Sequence, residues 1–167
     1  SKMVKTLLDM SELQTVSRDE TIAVDALVDE VLVDLEPLAQ EKEIKLIGNC
    51  KDTTMVGSDI LIYRMVYNLV ENAIKYNHFG GQVTVTAYRK GKNICLSVED
   101  TGSGIPAELK ERIFEPFFRV DKSRSRQLGG VGLGLALVRE IVRVHDGRIT
   151  VQSSPSGGTI FEVVFTQ

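Results

Sequence analysis

In the stretch NLVENAIKYN, Asn68, Asn72 and Lys75 recur at i, i+4 and i+7. On a helix that spacing sets two carboxamides and an ammonium on one face. Carboxamide oxygens suit a hard cation, and a lysine offers its charge to a phosphate. Glu71 stands at the edge of that face, where it could act as a base or order a water. A polar stripe is more commonly a solvated helix face. Against that reading, Asn is a poor residue for a helix interior, and two on one face call for a reason.

A second constellation lies in ICLSVEDTGSGI. If this is a strand, Ile94, Leu96, Val98 and Asp100 share one side of it. A carboxylate closing an apolar row loses hydration unless a donor meets it. Gly102 and Gly104 follow at once and permit a tight backbone and the close approach of a ligand. Asp100 could then accept a hydrogen bond from an amino group such as that of an adenine ring. A turn-forming Asp that merely caps the strand is the simpler alternative for this segment alone.

The third is GGVGLGLALVREI, with four glycines in the six residues 129–134 before a helical pattern. Glycines at a helix start gather backbone N–H groups where the helix dipole favours an anion. The run lacks the terminal Lys-Ser or Lys-Thr of a nucleotide phosphate loop, and its glycine spacing fails the dinucleotide fingerprint. Arg119, Lys122, Arg124 and Arg126 precede it and suit a polyanion, although a solvated charge run explains the last three as well. Phe114, Phe117 and Phe118 read as a hydrophobic anchor for this loop rather than a ligand box. His78 and His145 lack a metal-binding or triad partner and read as structural, with an imidazolium at His145 complementing a helix C-terminus.

These residues need elements to hold them. Ile22–Val24 is a strand candidate, and Leu27, Val31, Leu35 and Leu38 space a helix over about Asp25 to Lys42, with Pro37 a late kink. EIKLIG reads as another strand. Asp59 is a plausible N-cap for a helix through Leu61, Met65, Leu69, Ala73 and Tyr76. GGQVTVTAY and NICLSVED alternate as strands, and a third helix covers about Val131 to Val144, stopping at His145-Asp146-Gly147. Residues 101–130 form a long loop with one short helix near Ala107–Ile113, and RITVQSS and GTIFEVVF close the chain as a hairpin. Helices mixed with mostly hairpin-linked strands give a two-layer α+β sandwich.

The 167 residues are enough for one domain with a real core. A net charge of −3 argues against general nucleic-acid affinity, and the absence of Trp removes a stacking platform for single strands. No apolar run reaches the length of a membrane span, and the first residues show no signal-peptide pattern. Cys50 and Cys95 lack a CxxC spacing and read as reduced thiols. Met3, Leu7 and Met10 make Ser1–Gln14 an amphipathic stretch with no partner in its own neighbourhood.

Order and spacing together are more specific than any one of these signals. The sequence resembles the catalytic, ATP-binding domain of sensor histidine kinases, within the superfamily that includes DNA gyrase B and the mismatch-repair ATPases. NLVENAIKYN is similar to the asparagine box, DTGSGI to the first glycine box, FEPFFR to the phenylalanine box and GGVGLGL to the second glycine box, with a terminal Gly157-Gly158-Thr159. The resemblance implies a Bergerat-type sandwich over roughly Thr21 to Phe165, with helices on one face of a mixed, mostly antiparallel sheet, taking ATP and Mg2+ as cofactors. Carried over, Asp100 receives the adenine amino group, with Gly102, Gly104, Ile105 and Thr159 nearby and Tyr76 on the base or ribose side. Asn72 binds magnesium, Asn68 assists at the metal or phosphates, and Lys75 meets the phosphates with Gly130, Gly132, Leu133 and Gly134. Glu71 and Arg119 join Asn68 and Lys75 as catalytic candidates, Arg119 stabilising the transferred γ-phosphate.

Two departures stand out. Asn77 occupies a position where the family usually has Thr or Ser, and Asn68 replaces the glutamate base of the superfamily's hydrolases. No phosphoacceptor histidine in its usual context is present. The resemblance therefore implies residues 19–167 as the catalytic domain and 1–18 as the remnant of a dimerisation helix and linker. It further implies a dimerisation domain that supplies the histidine, a downstream response regulator, a monomeric fragment of a homodimeric whole, and the cytoplasmic part of a membrane-anchored bacterial kinase. The alternatives are a nucleotide-gated interaction module and an ATPase without histidine phosphotransfer.

Overall fold

Strict alternation of apolar and polar residues makes a one-sided sheet, and i, i+3, i+4 spacing makes the one-sided helices that cover it. The computed structural model describes residues 12–118 and 134–167. Most of the Ser1–Gln14 stretch lies outside these residues, as do Arg119, Gly130, Gly132 and Leu133. In chain order the elements are β1 (Glu20–Ala23), α1 (Val24–Gln40), β2 (Lys45–Cys50), β3 (Thr54–Gly57), α2 (Asp59–Lys75), β4 (Gln82–Lys90) and β5 (Asn93–Asp100). After the long loop come α3 (Gly134–Val144), β6 (Gly147–Ser153) and β7 (Thr159–Thr166).

The main sheet has the order β2-β4-β5-β7-β6, parallel at β2–β4 and antiparallel at its other three pairings, while β1 and β3 form a separate antiparallel ribbon. Val83, Val85 and Ala87 of β4, Ile94, Leu96 and Val98 of β5, and Phe161, Val163 and Phe165 of β7 form one buried face. Against it lie Val28, Val31 and Leu35 of α1, Met65, Leu69 and Ala73 of α2, and Val138 and Ile141 of α3. This is the expected two-layer sandwich with a mixed, mostly antiparallel sheet. Leu13, from a 3-10 turn ahead of β1, is buried in the same core.

Several details differ from the expectation. Strand β3 was not legible, because TMVG buries only Met55 and Gly57 and carries too short a pattern. The N-cap of α2 is Ser58, whose Oγ accepts from the Leu61 N–H at 3.3 Å; Asp59 is the helix's first residue, where its charge faces the dipole. The helix expected near Ala107–Ile113 is instead two 3-10 turns, Ala107–Leu109 and Arg112–Phe114. Pro106 opens the first, and the segment is too short to bury a continuous helical face.

His145 is structural, as expected, but it is not an imidazolium. Its Nδ1 donates to the Ile141 carbonyl at 2.8 Å, and its Nε2 accepts from the Ser58 N–H at 3.0 Å. A ring that accepts on one nitrogen and donates on the other is neutral. Burial pushes its pKa down, opposed by the Ile141 carbonyl. The ring also meets Phe165 edge to face, so it ties α3 to the cap of α2 and to β7. The unfolded chain therefore takes up this proton before the folded one does, and stability is lost as pH falls below the ordinary imidazole pKa of about 6.5. Urea unfolding between pH 7.5 and 5.5 is expected to show a steeper loss in the wild type than in His145→Gln, the difference reaching up to about 1.4 kcal/mol per pH unit. Parallel profiles for the two proteins would show that His145 does not titrate in this way.

Candidate functional site

Asp100 ends the buried row of β5 and is itself 8 % exposed. Its Oδ1 accepts from the Gly102 N–H at 2.8 Å and the Thr159 N–H at 3.2 Å, so two backbone amides from different segments fix the carboxylate. Burial raises its pKa, and the Gly102 and Thr159 hydrogen bonds pull it back down. Both amides sit on Oδ1, which leaves Oδ2 to the cavity. The glycines are required here. A Cβ on Gly102 would come within 2.6 Å of the Tyr76 carbonyl oxygen. Gly104 has φ +76° and lies so close to Gly157 that a Cβ would stand 2.6 Å from its carbonyl oxygen.

The cavity above this carboxylate has a volume of about 280 Å³. Of the residues singled out from sequence, the structure brings Asn72, Tyr76, Asp100, Gly104, Ile105 and Thr159 onto its wall. Asn72 and Tyr76 come from the C-terminal end of α2, Asp100 from β5, Gly104 and Ile105 from the glycine loop, and Thr159 from β7. A polar wall from the helix thus faces a buried acid at the end of the sheet's central strand. Ser103 and the apolar side chains of Ile113, Phe118, Leu135 and Phe161 complete the lining. This is the usual character of a small-molecule site, mostly apolar with a few placed polar groups.

The remaining candidates stand beside the cavity. Asn68 donates through Nδ2 to the Gly134 carbonyl at 3.4 Å, joining α2 to the start of α3. Glu71 and Lys75 form an i, i+4 ion pair at 3.7 Å on the same half-exposed helix face. Among the described residues, a Cβ on Gly134 would meet nothing within 4 Å. Among the described residues no group of three or more His, Cys, Asp or Glu is arranged to hold a metal ion. The donor on this wall is the single carboxamide of Asn72, which fits a magnesium ion that keeps its waters and arrives with substrate phosphates.

The phenylalanines divide in a way the sequence reading missed. Phe114 is a core residue and packs edge to face on Phe161. Phe118 lines the cavity under the Arg112 guanidinium, which lies 4.6 Å from its ring centre, so it is more than a loop anchor. Phe117 has φ +67° and is exposed among the described residues. No residue-type rule separates three phenylalanines within five positions. Phe161 was readable as inward-facing on β7, but its place at the cavity depends on sheet order.

Asn77 is fully buried and bonded on both ends of its amide. Its Nδ2 donates to the Gln82 carbonyl at 3.1 Å, and its Oδ1 accepts from the Thr101 hydroxyl at 3.1 Å and the His78 N–H at 2.9 Å. The departure from Thr or Ser at this position therefore supplies a longer side chain that ties the end of α2 to the residue after Asp100.

With this geometry in hand, similarity to known proteins can be weighed. The family described as histidine kinase-, DNA gyrase B- and HSP90-like ATPase matches residues 57–167, which hold α2, the glycine loop and the cavity. The sensor-like histidine kinase SenX3 of Mycobacterium tuberculosis is 39% identical over 163 residues, covering 95% of this chain and 40% of that kinase. This chain thus spans about two fifths of that relative's length. The nucleotide-free catalytic domain of the histidine kinase ThkA superposes with a TM-score of 0.80 at 27% identity, covering 90% of this chain and 96% of that one. ThkA in complex with the response regulator protein TrrA gives a TM-score of 0.82 at 27% identity, covering 99% of this chain and 46% of that one. The chain belongs to the family of histidine kinase-, DNA gyrase B- and HSP90-like ATPases, and within it is an ATP-binding catalytic domain of the sensor histidine kinase type.

Proposed function

We propose that this domain binds Mg-ATP in the cavity over Asp100 and passes the γ-phosphoryl group to a histidine on a dimerisation domain outside this chain. The observation that carries the reading is the carboxylate of Asp100, held by two amides in a mostly apolar cavity that Asn72 also lines. An adenine amino group donating to Oδ2 would offset the desolvation that raises the pKa of Asp100. A base presenting a carbonyl oxygen there meets a second acceptor instead, so the site favours ATP over GTP.

Tyr76, Ile105 and Phe118 would enclose the base and ribose. Asn72 would hold the magnesium ion, which neutralises phosphate charge when bound. Asn68, Glu71 and Lys75 lie further along the same face, where the triphosphate would run toward the start of α3. Backbone amides there, from Gly130, Gly132, Leu133 and Gly134, would take the phosphates, with Arg119 at the transferred group. Phosphoryl transfer asks mainly for positioning and charge neutralisation, and Asn68 in place of a glutamate base suits transfer to a protein rather than to water. The whole would be a homodimeric, membrane-anchored kinase with a response regulator downstream, the last supported by the similar kinase ThkA in complex with the response regulator protein TrrA.

Three measurements test this reading. Asp100→Asn is expected to weaken ATP binding by about 10- to 100-fold, because a charge-assisted hydrogen bond is lost. Its Tm at pH 7 should stay level or rise, since a buried charge disappears while the amide oxygen still accepts from Gly102 and Thr159. Calorimetric titration and thermal melts on one preparation separate the two effects. Asn72→Asp should lower Mg-ATP affinity as well; unchanged affinity in both variants would remove the site assignment. Gly134→Ala should weaken ATP binding with Tm unchanged, as its methyl group enters open space but crowds the phosphate path. Incubating the chain with γ-labelled ATP and a histidine-bearing dimerisation domain should give acid-labile phosphohistidine; binding without any transfer would instead mark a nucleotide-gated module.

A further inference from the structure

The helix that carries Asn72 and Tyr76 ends in carbonyl groups without helical partners, and one side chain from another element collects them. Lys42, in the corner between α1 and β2, places its Nζ 3.3 Å from the Ile74 carbonyl and 2.8 Å from those of Lys75 and Asn77. An ammonium has three donors, and here each is offered a carbonyl at the negative end of α2. We infer that Lys42 is a positioning residue for the nucleotide site, acting on Asp100 through Asn77 and Thr101.

Each link is a direct contact. The carbonyl of Asn77 binds Lys42, and its side chain accepts from the Thr101 hydroxyl. The Thr101 hydroxyl in turn accepts from the Gln82 N–H at 2.9 Å, and the Thr101 N–H donates to the Gln82 carbonyl at 3.2 Å. Thr101 follows Asp100, so its place fixes where the carboxylate leaves β5. The same corner grips the turn between α2 and β4 with its backbone. The Lys42 carbonyl accepts from the Gly80 N–H at 2.9 Å, and the Lys45 N–H donates to the Gly81 carbonyl at 3.0 Å. Gly102 also packs close to the Tyr76 carbonyl. Two walls of the cavity, the end of α2 and the Asp100 loop, therefore share one polar spine that starts at Lys42. Apolar packing of Leu69 and Ala73 holds α2 on the sheet, but it does not fix the helix end against that loop. The inference rests on the proposed use of the cavity, and its test separates the two.

The test uses the 167-residue chain and its Lys42→Met, Lys42→Arg and Thr101→Val variants, with Val31→Ala as a core truncation on α1 that lowers Tm without touching the spine. Well below each Tm, Lys42→Met is expected to weaken ATP binding about fivefold to tenfold, in the range of residues that act on a site through others. Lys42→Arg should restore most of the affinity, and Val31→Ala should leave it intact. Without nucleotide, the amide resonances of Gly102 and Thr159, which report the Asp100 hydrogen bonds, should shift in Lys42→Met and Thr101→Val and stay in place in Val31→Ala. Should Lys42→Met fail to fold, Thr101→Val carries the same two readouts in its place, with Lys42→Arg as the variant expected to stay near the wild type. Wild-type affinity with unmoved amide resonances overturns the inference. So does an affinity loss that Val31→Ala reproduces. A wild type that binds no ATP overturns the proposed function instead and leaves the amide shifts to decide on Lys42.

Discussion

A carboxylate at the end of a buried strand has lost most of its hydration, and proteins tolerate that only where donors replace the water. Asp100 has two, the amides of Gly102 and Thr159, and both need unusual backbone. The first requires a turn so tight that its residue can carry no Cβ beneath Tyr76. The second requires β7 to begin beside the end of β5, which the β5–β7 pairing through Glu99 and Ile160 provides. Sheet register, glycine placement and the position of the α2 terminus thus all answer to one buried charge. Its second oxygen is the one that the proposed reading gives to a donor on the ligand.

The helical layer meets a different demand. Helix α2 buries Leu61, Met65, Leu69 and Ala73 while holding Asn68, Asn72 and Lys75 half-exposed one face away. The hydrophobic attraction that holds such a helix on the sheet is non-directional and leaves its two ends some freedom. Polar contacts at both ends remove that freedom. At the start, Ser58 caps the first turn and its N–H binds the neutral ring of His145. At the end, Lys42 holds the last carbonyls, and the Asn77 amide ties the chain just past the helix to the Gln82 carbonyl of β4. Hydrophobic burial supplies the attraction between the layers, and these directional contacts set their register.

Much of this was legible in the sequence, for physical reasons that can be named. Period-two rows identified β4, β5 and β7, and period-3.6 rows identified α1 and α2, because both periodicities are imposed by a single buried face. Six of the residues chosen for their chemistry, Asn72, Tyr76, Asp100, Gly104, Ile105 and Thr159, converge on one cavity. What stayed hidden depends on contacts between elements distant in sequence. Nothing local marks Lys42 as the cap of a helix that ends 33 residues later. The charge state of His145 also escaped, since a histidine at a helix C-terminus suggests a cation until Ser58 turns its N–H toward the ring. Strand β3 was too short for its period to register, and Phe118 could not be told from Phe117 without knowing which way the backbone turns at φ +67°.

The departure at Asn77 shows how a substitution in a functional motif can be read through its partners. A hydroxyl at that position has one donor and a short reach, whereas the carboxamide both donates to Gln82 and accepts from Thr101 and His78. The longer group is accommodated because the chain next to it carries glycine. A Cβ on Gly81 would overlap the Asn77 amide oxygen, and one on Gly102 would crowd the Asn77 backbone at 3.2 Å. Asn77 and these two glycines therefore behave as one unit in which none is freely exchangeable. The asparagine box and the first glycine box, separate in sequence, are in this fold two sides of the same polar joint.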